Sequence, residues 1–479
     1  MRELAQQAVQ AALDRGASYA DARVVRTETQ SLSVKNATPE EVTTSEDVGI
    51  GVRVLVDGSW GFAGTARLDK AEATHIADVA VAIARASALV RQRPVQLAPV
   101  EVIRASWRNP VQRDPWDVSL DEKLRVLSAA TATMVRVKGV RVASGSMNFW
   151  KTTKLFLSSE GAEIEQVIVE SGGGIGALAV GEGEVQRRSY PASSRGQFAT
   201  GGYEIVAALD LPAHAERTAE EAVQLLRAPL CPTMTTDLLL DSDQVMLQIH
   251  ESIGHAVEFD RILGTEAAYA GTSWVDPAQI GSLRYGSDKL NIVSDATLPG
   301  GLGTFGYDDE GVPAQRAMIV DHGTLVGVLT SRETAPVLGQ RSNGTARAMA
   351  WNRIPLIRMT NIGLLPGEGT LAEMIADTRE GIYMSTNKSW SIDDKRLNFQ
   401  FGCEIAWEVK GGKLGRMFRQ PTYGGMTPTF WGSLDWVAGP SEWTIRGTPN
   451  CGKGQPSQAG HTGHPSAPCR FRGVRVGVR

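Results

Sequence analysis

An α+β fold is predicted for this chain: a mixed α/β N-terminal domain over residues 1–230, then a β-rich C-terminal domain over residues 231–479 that carries a metal-binding helix. Three observations give that reading. The 479 residues exceed what one ordinary core accommodates, so two or three domains are expected. Helical and strand patterns mix in the first half, whereas hairpins and loops dominate the second. Between the halves, Ala228-Pro229-Leu230-Cys231-Pro232 ends a helix with two prolines, which cannot continue it, and marks the boundary.

The N-terminal half opens on an amphipathic helix through Leu4, Ala8, Ala12 and Leu13, spaced for one helical face. Strand-like runs follow at Ser31 to Val34, Gly49 to Val56 and Trp60 to Ala66, with Asp57-Gly58 as the hairpin turn. Asp69 to Val90 reads as a long helix with an apolar face through Ile76, Val79, Ile83 and Leu89. Ser119-Leu120-Asp121-Glu122 is a capping box that opens another helix toward Met134. A break into two subdomains would fall near residues 110–140. Arg141 to Tyr190 alternates and is rich in glycine, which predicts an antiparallel meander. Gly172-Gly173-Gly174-Ile175-Gly176 lacks the Lys-Ser/Thr ending and the following helix of a phosphate loop, so it is placed in that meander. A helix from His214 to Ala228 closes the half.

The second half begins with a strand over Thr236 to Leu240 and runs into a helix bearing His250-Glu251-Ser252-Ile253-Gly254-His255. Asp241-Ser242-Asp243 supplies its N-cap candidates, and Val245, Met246, Ile249, Ile253 and Val257 recur at helical spacing as its core stripe. Two histidines with an adjacent glutamate can bind zinc and hold a base, Glu251, against a metal-bound water. The spacing is one residue longer than H-E-x-x-H, and five residues of ideal helix turn the second imidazole roughly 140° from the first. The helix is therefore expected to depart from ideality, with a π-type bulge realigning His250 and His255 and Gly254 tolerating the widened turn. Hairpins follow at Ala317 to Thr330, turning through Asp321-His322-Gly323, and at Phe399 to Val409, turning through Lys410-Gly411-Gly412-Lys413. Tyr423, Phe430, Trp431 and Trp436 are candidates for lining a chamber, although each taken individually fits a core better.

Composition excludes several classes. A net charge of −4 leaves no basic footprint for nucleic acid. The start lacks a cationic n-region and an apolar h-region, and Ile76 to Val90 is too short and too interrupted by charge to span a bilayer. Cys231, Cys403, Cys451 and Cys469 lie far apart with no C-x-x-C pair, so a reducing cytoplasm is expected.

Several blocks together resemble the TldD/PmbA family of cytoplasmic peptidases, specifically the metal-binding TldD type. They are His250-Glu251-Ser252-Ile253-Gly254-His255-Ala256-Val257-Glu258, Arg358-Met359-Thr360-Asn361, and Arg446-Gly447-Thr448-Pro449-Asn450-Cys451-Gly452-Lys453-Gly454-Gln455-Pro456. The opening helix followed by Tyr19-Ala20-Asp21-Ala22-Arg23 also looks like the family's start. The resemblance implies zinc held by His250, His255 and Cys451, which answers the question of a third ligand that the helix leaves open. It implies peptide hydrolysis with Glu251 as general base. It also implies unfolded or small peptides bound as an added β-strand in a chamber between two subunits, with Arg358, Thr360 and Asn361 along the substrate channel. The implied assembly is a homodimer or a pairing with a metal-free TldE/PmbA-type paralogue. That this chain is itself the non-catalytic partner is the competing reading, and it gives no reason for His, Glu, His and Cys to occur together. After Gln455-Pro456 the sequence departs from the family pattern. The stretch from Ala459 to Cys469 reads as a solvated Gly-rich tail, and its His461 and His464 alone would make a poor second metal site.

Overall fold

The computed structural model describes residues 1–181, 183–193, 196–269 and 271–478. It is an α+β fold with a β-rich second half, as expected. Helix α1 (Arg2–Asp14) leads into β1 (Tyr19–Lys35), β2 (Thr38–Val56) and β3 (Ser59–Thr65), followed by helix α2 (Lys70–Ala88). Asp57 and Gly58 both adopt positive φ, 47° and 69°, the left-handed pair that a two-residue hairpin turn requires. Strand β4 (Arg104–Arg108), helix α3 (Leu120–Arg136) and the long strands β5 (Val140–Ser158) and β6 (Glu163–Gly181) come next. β7 (Glu184–Tyr190), β8 (Gln197–Thr200), α4 (Tyr203–Ala207) and α5 (Leu211–Leu225) complete this half. One eight-stranded sheet, in the order β3-β2-β1-β5-β6-β4 with β7 and β8 also on β6, carries strands from both sides of the expected 110–140 break.

Two apolar cores lie along that sheet: α1 and α2 pack with β1 and β2, and α3 and α5 pack with β5 and β6. The phase of α2 differs from the sequence expectation. Ala73, Ile76, Ala77, Ala80, Val81 and Ala84 are buried, whereas Ile83 and Leu89 are exposed. The reason is close approach: a Cβ on Gly61 would overlap the Ala80 carbonyl and Ala84, so only a small-residue face fits against β3. Asp69 caps α2 by accepting from Glu72 N, and Ser119 caps α3 by accepting from Glu122 N. The Glu122 carboxylate turns to Arg113 instead of completing a box. Gly172 lies inside β6 against Phe198, where a side chain would clash, which accounts for that glycine without a ligand.

The second half closes a barrel. Strands Glu380–Ile392, β9 (Met234–Leu240), Cys469–Val476, Thr422–Met426 and Asn398–Lys410 follow one another, and the first also pairs with the last. The tail expected to be solvated is instead β-structure: Gln458–Ser466 pairs with Thr444–Lys453, and Cys469–Val476 is a barrel strand. His464, Ser466 and Cys469 are fully buried. Tyr423, Phe430 and Trp431 belong to the core and not to a chamber wall, and Trp436 packs at its edge. His322 is a turn residue with φ 42°. The halves are tied by buried charge: Arg53 pairs with Asp21 and with Glu310, and Glu404 accepts from Ser189 and Arg188. Among the described residues no helix is long and apolar enough to cross a membrane.

Candidate metal centre

Helix α6 (Ser242–Ile249) leaves the barrel directly after β9, capped by Asp241, which accepts from Asp243 N. Every residue of α6 is buried. Val245, Ile249, Ile253 and Val257 face the core as expected, each contributing about 1.5–3 kcal/mol on full burial. Met246 instead borders the cavity described below. The buried polar side of the helix is satisfied by the barrel: the Tyr423 hydroxyl accepts from Gln244 and donates to Gln248, and Trp431 Nε1 donates to Ser252.

At His250 the helix widens. Residues His250–Gly254 form a π-helical turn, and the His255 N–H bonds back five residues to the His250 carbonyl. The extra residue per turn brings His255 round to His250, with ring centroids 4.8 Å apart and planes at 88°. Gly254 is required for a reason other than backbone strain, since its φ of −50° is ordinary helix. A Cβ there would run into the Met359 thioether. Gly254→Ala is expected to lower stability by about 1–3 kcal/mol through overpacking, read as a lower urea midpoint, and to cost less in a Met359→Ala background than in the wild type.

Cys451 arrives from the hairpin strand Thr444–Lys453. Its Sγ lies 3.6 Å from His255 Nε2, and one donor atom from each of His250, His255 and Cys451 falls within 4.8 Å of the others. The backbone there is gripped by Arg358, which donates to the carbonyls of Cys451 and Gln458. Burial pushes the Cys451 thiol up, but His255 and the Arg358 guanidinium outweigh it and bring the thiol below its ordinary value. Burial lowers both histidines, which leaves neutral imidazoles near pH 7. Neutral imidazoles and an acidified thiol suit a metal. His/His/Cys is a three-ligand set with room for a fourth, open position.

Each histidine has its Nδ1 occupied by another side chain. His255 Nδ1 is 3.0 Å from Glu258 Oε2, and His250 Nδ1 is 2.8 Å from His464 Nε2. Burial would raise the Glu258 carboxyl, but Lys453, His255 and Arg261 hold it well below the usual carboxylate range. Lys453 Nζ is fully buried, 3.4 Å from Glu258 and 2.8 Å from Asp260. Lys453→Met should cost about 3–5 kcal/mol, because both carboxylates lose their ammonium partner. Chemical unfolding would show it, and a wild-type midpoint would contradict it.

Glu251 points into a cavity of about 490 Å³ shared by His250, His255, Cys451, Asn387, Trp390 and Arg396. Its Oε2 is 2.8 Å from Arg396 Nη1, and Arg396 comes from the connection between strands Glu380–Ile392 and Asn398–Lys410. A second cavity of about 440 Å³, bordered by Arg358 and His461, shares Pro449 with the first. His461 is paired there with Glu170, at 2.8 Å.

Family models described as PmbA/TldA metallopeptidase domain 1, central domain and C-terminal domain match residues 20–88, 113–228 and 233–477. The chain belongs to the PmbA/TldD metallopeptidase family. A metalloprotease of Methanothermobacter thermautotrophicus is 30% identical over 96% of this chain and 95% of its own length. A protein of Saccharolobus solfataricus named as a zinc metalloprotease TldD homolog is 23% identical over 88% of this chain and 89% of its own. The fold of TldE from Thermococcus kodakarensis superposes with a TM-score of 0.74, at 14% identity, over 99% of both chains.

Within this PmbA/TldD chain the three remaining candidates are employed internally. Arg358 holds the Cys451 and Gln458 carbonyls. Thr360 Oγ1 bonds Ser294 Oγ at 2.8 Å. Asn361 donates to the Asp295 carbonyl and to Thr304, and accepts from Gly303 N. Thr360 and Asn361 are buried, and neither borders the Glu251 cavity. Sequence reasoning gave no role to Glu258, Lys453 or Arg396. Glu258 was within reach, since it lies three residues after His255, although the contact is made from extended backbone just past the helical turn. Arg396 lies 145 residues from Glu251, and no local pattern connects them.

Proposed function

We propose that this chain is a zinc peptidase whose metal is held by His250, His255 and Cys451. The observation that carries the reading is their convergence beside Glu251 in one cavity. Zinc bound there would supply Lewis acidity to a substrate carbonyl and to the attacking water. Glu251 takes a proton from that water and passes one to the leaving amine. Arg396 holds the Glu251 carboxylate in place. Glu258 fixes His255 with Nδ1 protonated, so that Nε2 is the ligating nitrogen. Arg358 seats the Cys451 strand, and Thr360 and Asn361 brace the segment behind it. In this reading Asn387, Trp390 and Arg396, which border the Glu251 cavity, line the substrate channel in place of Thr360 and Asn361.

The substrate class is unfolded or small peptides, taken up as an added strand, in the cytoplasm. The working unit is at least a dimer, either of this chain alone or with a TldE/PmbA-type paralogue. Metal analysis of the purified protein, with peptide hydrolysis measured alone and with a paralogue, tests the reading. Less than one equivalent of any transition metal after anaerobic purification and zinc addition would refute it. Light scattering should report a dimer or larger, and short peptides should be cleaved while folded proteins are not. A monomer that digests both equally fast contradicts the enclosed chamber.

A further inference from the structure

We propose that His464 is a positioning residue that locks His250 in the tautomer carrying its proton on Nδ1, so that Nε2 is the nitrogen left free for the metal. The proposal rests on the metal-site reading above. His464 Nδ1 lies 2.9 Å from the Ile362 carbonyl oxygen, which can only accept, so this nitrogen carries hydrogen. His464 is fully buried, and its three polar neighbours are that carbonyl, the Thr462 hydroxyl at 3.1 Å and His250 Nδ1 at 2.8 Å. None of them is a carboxylate that would favour a cationic ring. A neutral imidazole has one N–H, so His464 Nε2 is an acceptor, and the 2.8 Å contact is made by the His250 Nδ1–H donating to it.

The chain of hydrogen bonds is anchored on rigid backbone. His464 sits opposite Arg446 in the hairpin of Gln458–Ser466 with Thr444–Lys453, and that strand packs against α6 and against Ile362–Leu364. Proton direction is therefore set at a main-chain carbonyl and passed through His464 to His250. His255 reaches the same protonation pattern through the Glu258 carboxylate, which Lys453 and Arg261 compensate. A second carboxylate behind His250 would bring further buried negative charge close to the Cys451 thiolate. An imidazole provides an acceptor without charge, and its ring orients His250 at the same time.

The test uses the full chain, uniformly labelled with 15N at histidine, in metal-free and zinc-loaded forms. Ring proton–nitrogen spectra of the metal-free wild type should show His250 protonated on Nδ1. In H464L that preference should be lost, and zinc affinity in a chelator competition should fall by about 10–100-fold. H464Q retains an amide N–H for Ile362 and an amide oxygen for His250, so it should restore both readouts toward wild type. Retention of tautomer and zinc affinity by H464L would overturn the proposal, as would an H464Q protein no better than H464L. If H464L does not fold, the wild-type spectrum still decides, because a His250 protonated on Nε2 contradicts the assignment. Failure of the wild type to bind zinc would instead refute the metal reading, and the metal-free spectra would continue to report on His464.

Discussion

Glu251→Gln is expected to keep the metal and to lose turnover by about 10²–10⁴-fold, the range that a well-placed general base contributes. Glu251 is not one of the three donors that converge, and its carboxylate is instead 2.8 Å from Arg396. A glutamine side chain still accepts from that guanidinium, so the local packing survives, but it cannot take a proton from water. Zinc content by elemental analysis and the rate of peptide hydrolysis on the same sample separate the two effects. A fall in metal content as large as that of His250→Ala would make Glu251 a ligand and would remove the proposed division of roles.

Cys451→Ala should strip or strongly loosen the metal and abolish activity. Two imidazoles alone leave a catalytic zinc one protein ligand short. The environment of Cys451 is built for a thiolate, with His255 at 3.6 Å and Arg358 on its own carbonyl. Neither histidine of the neighbouring strand is free to take its place: His464 Nε2 is occupied by His250 and Thr462, and His461 pairs with Glu170. Titration with a chromophoric chelator would measure the loss. Full occupancy together with full activity in the alanine variant would require a third ligand elsewhere.

The sequence carried the local features well where the signal is local. The Asp57-Gly58 turn, the cap at Ser119, and the anomalous H-E-x-x-x-H spacing each follow from residues within one turn of each other. The spacing even required the π turn that the structure contains at His250–Gly254. Where expectations failed, distant packing overrode local pattern. The face of α2 was chosen by Gly61 on a neighbouring strand. The stretch after Pro456, glycine-rich and polar in isolation, became a buried strand because Thr444–Lys453 offers it a ladder of partners.

By itself, then, the sequence determined the α+β class, the chemical identity of His250, Glu251 and His255, and the need for a distorted helix to bring the two imidazoles together. Helical periodicity and turn chemistry are short-range, and the covalent chain fixes them. Only the tertiary structure decided what faces each imidazole and each carboxylate: His464 and Glu258 lie on the two Nδ1 atoms, and Arg396 lies on Glu251. It alone placed Arg358, Thr360 and Asn361 in internal hydrogen bonds. Those properties depend on atoms of Cys451, His464, Ile362 and Arg396, between 93 and 214 residues from their partners along the chain. Burial then gives such contacts their force, because a buried polar group must find a partner, and folding alone selects which one.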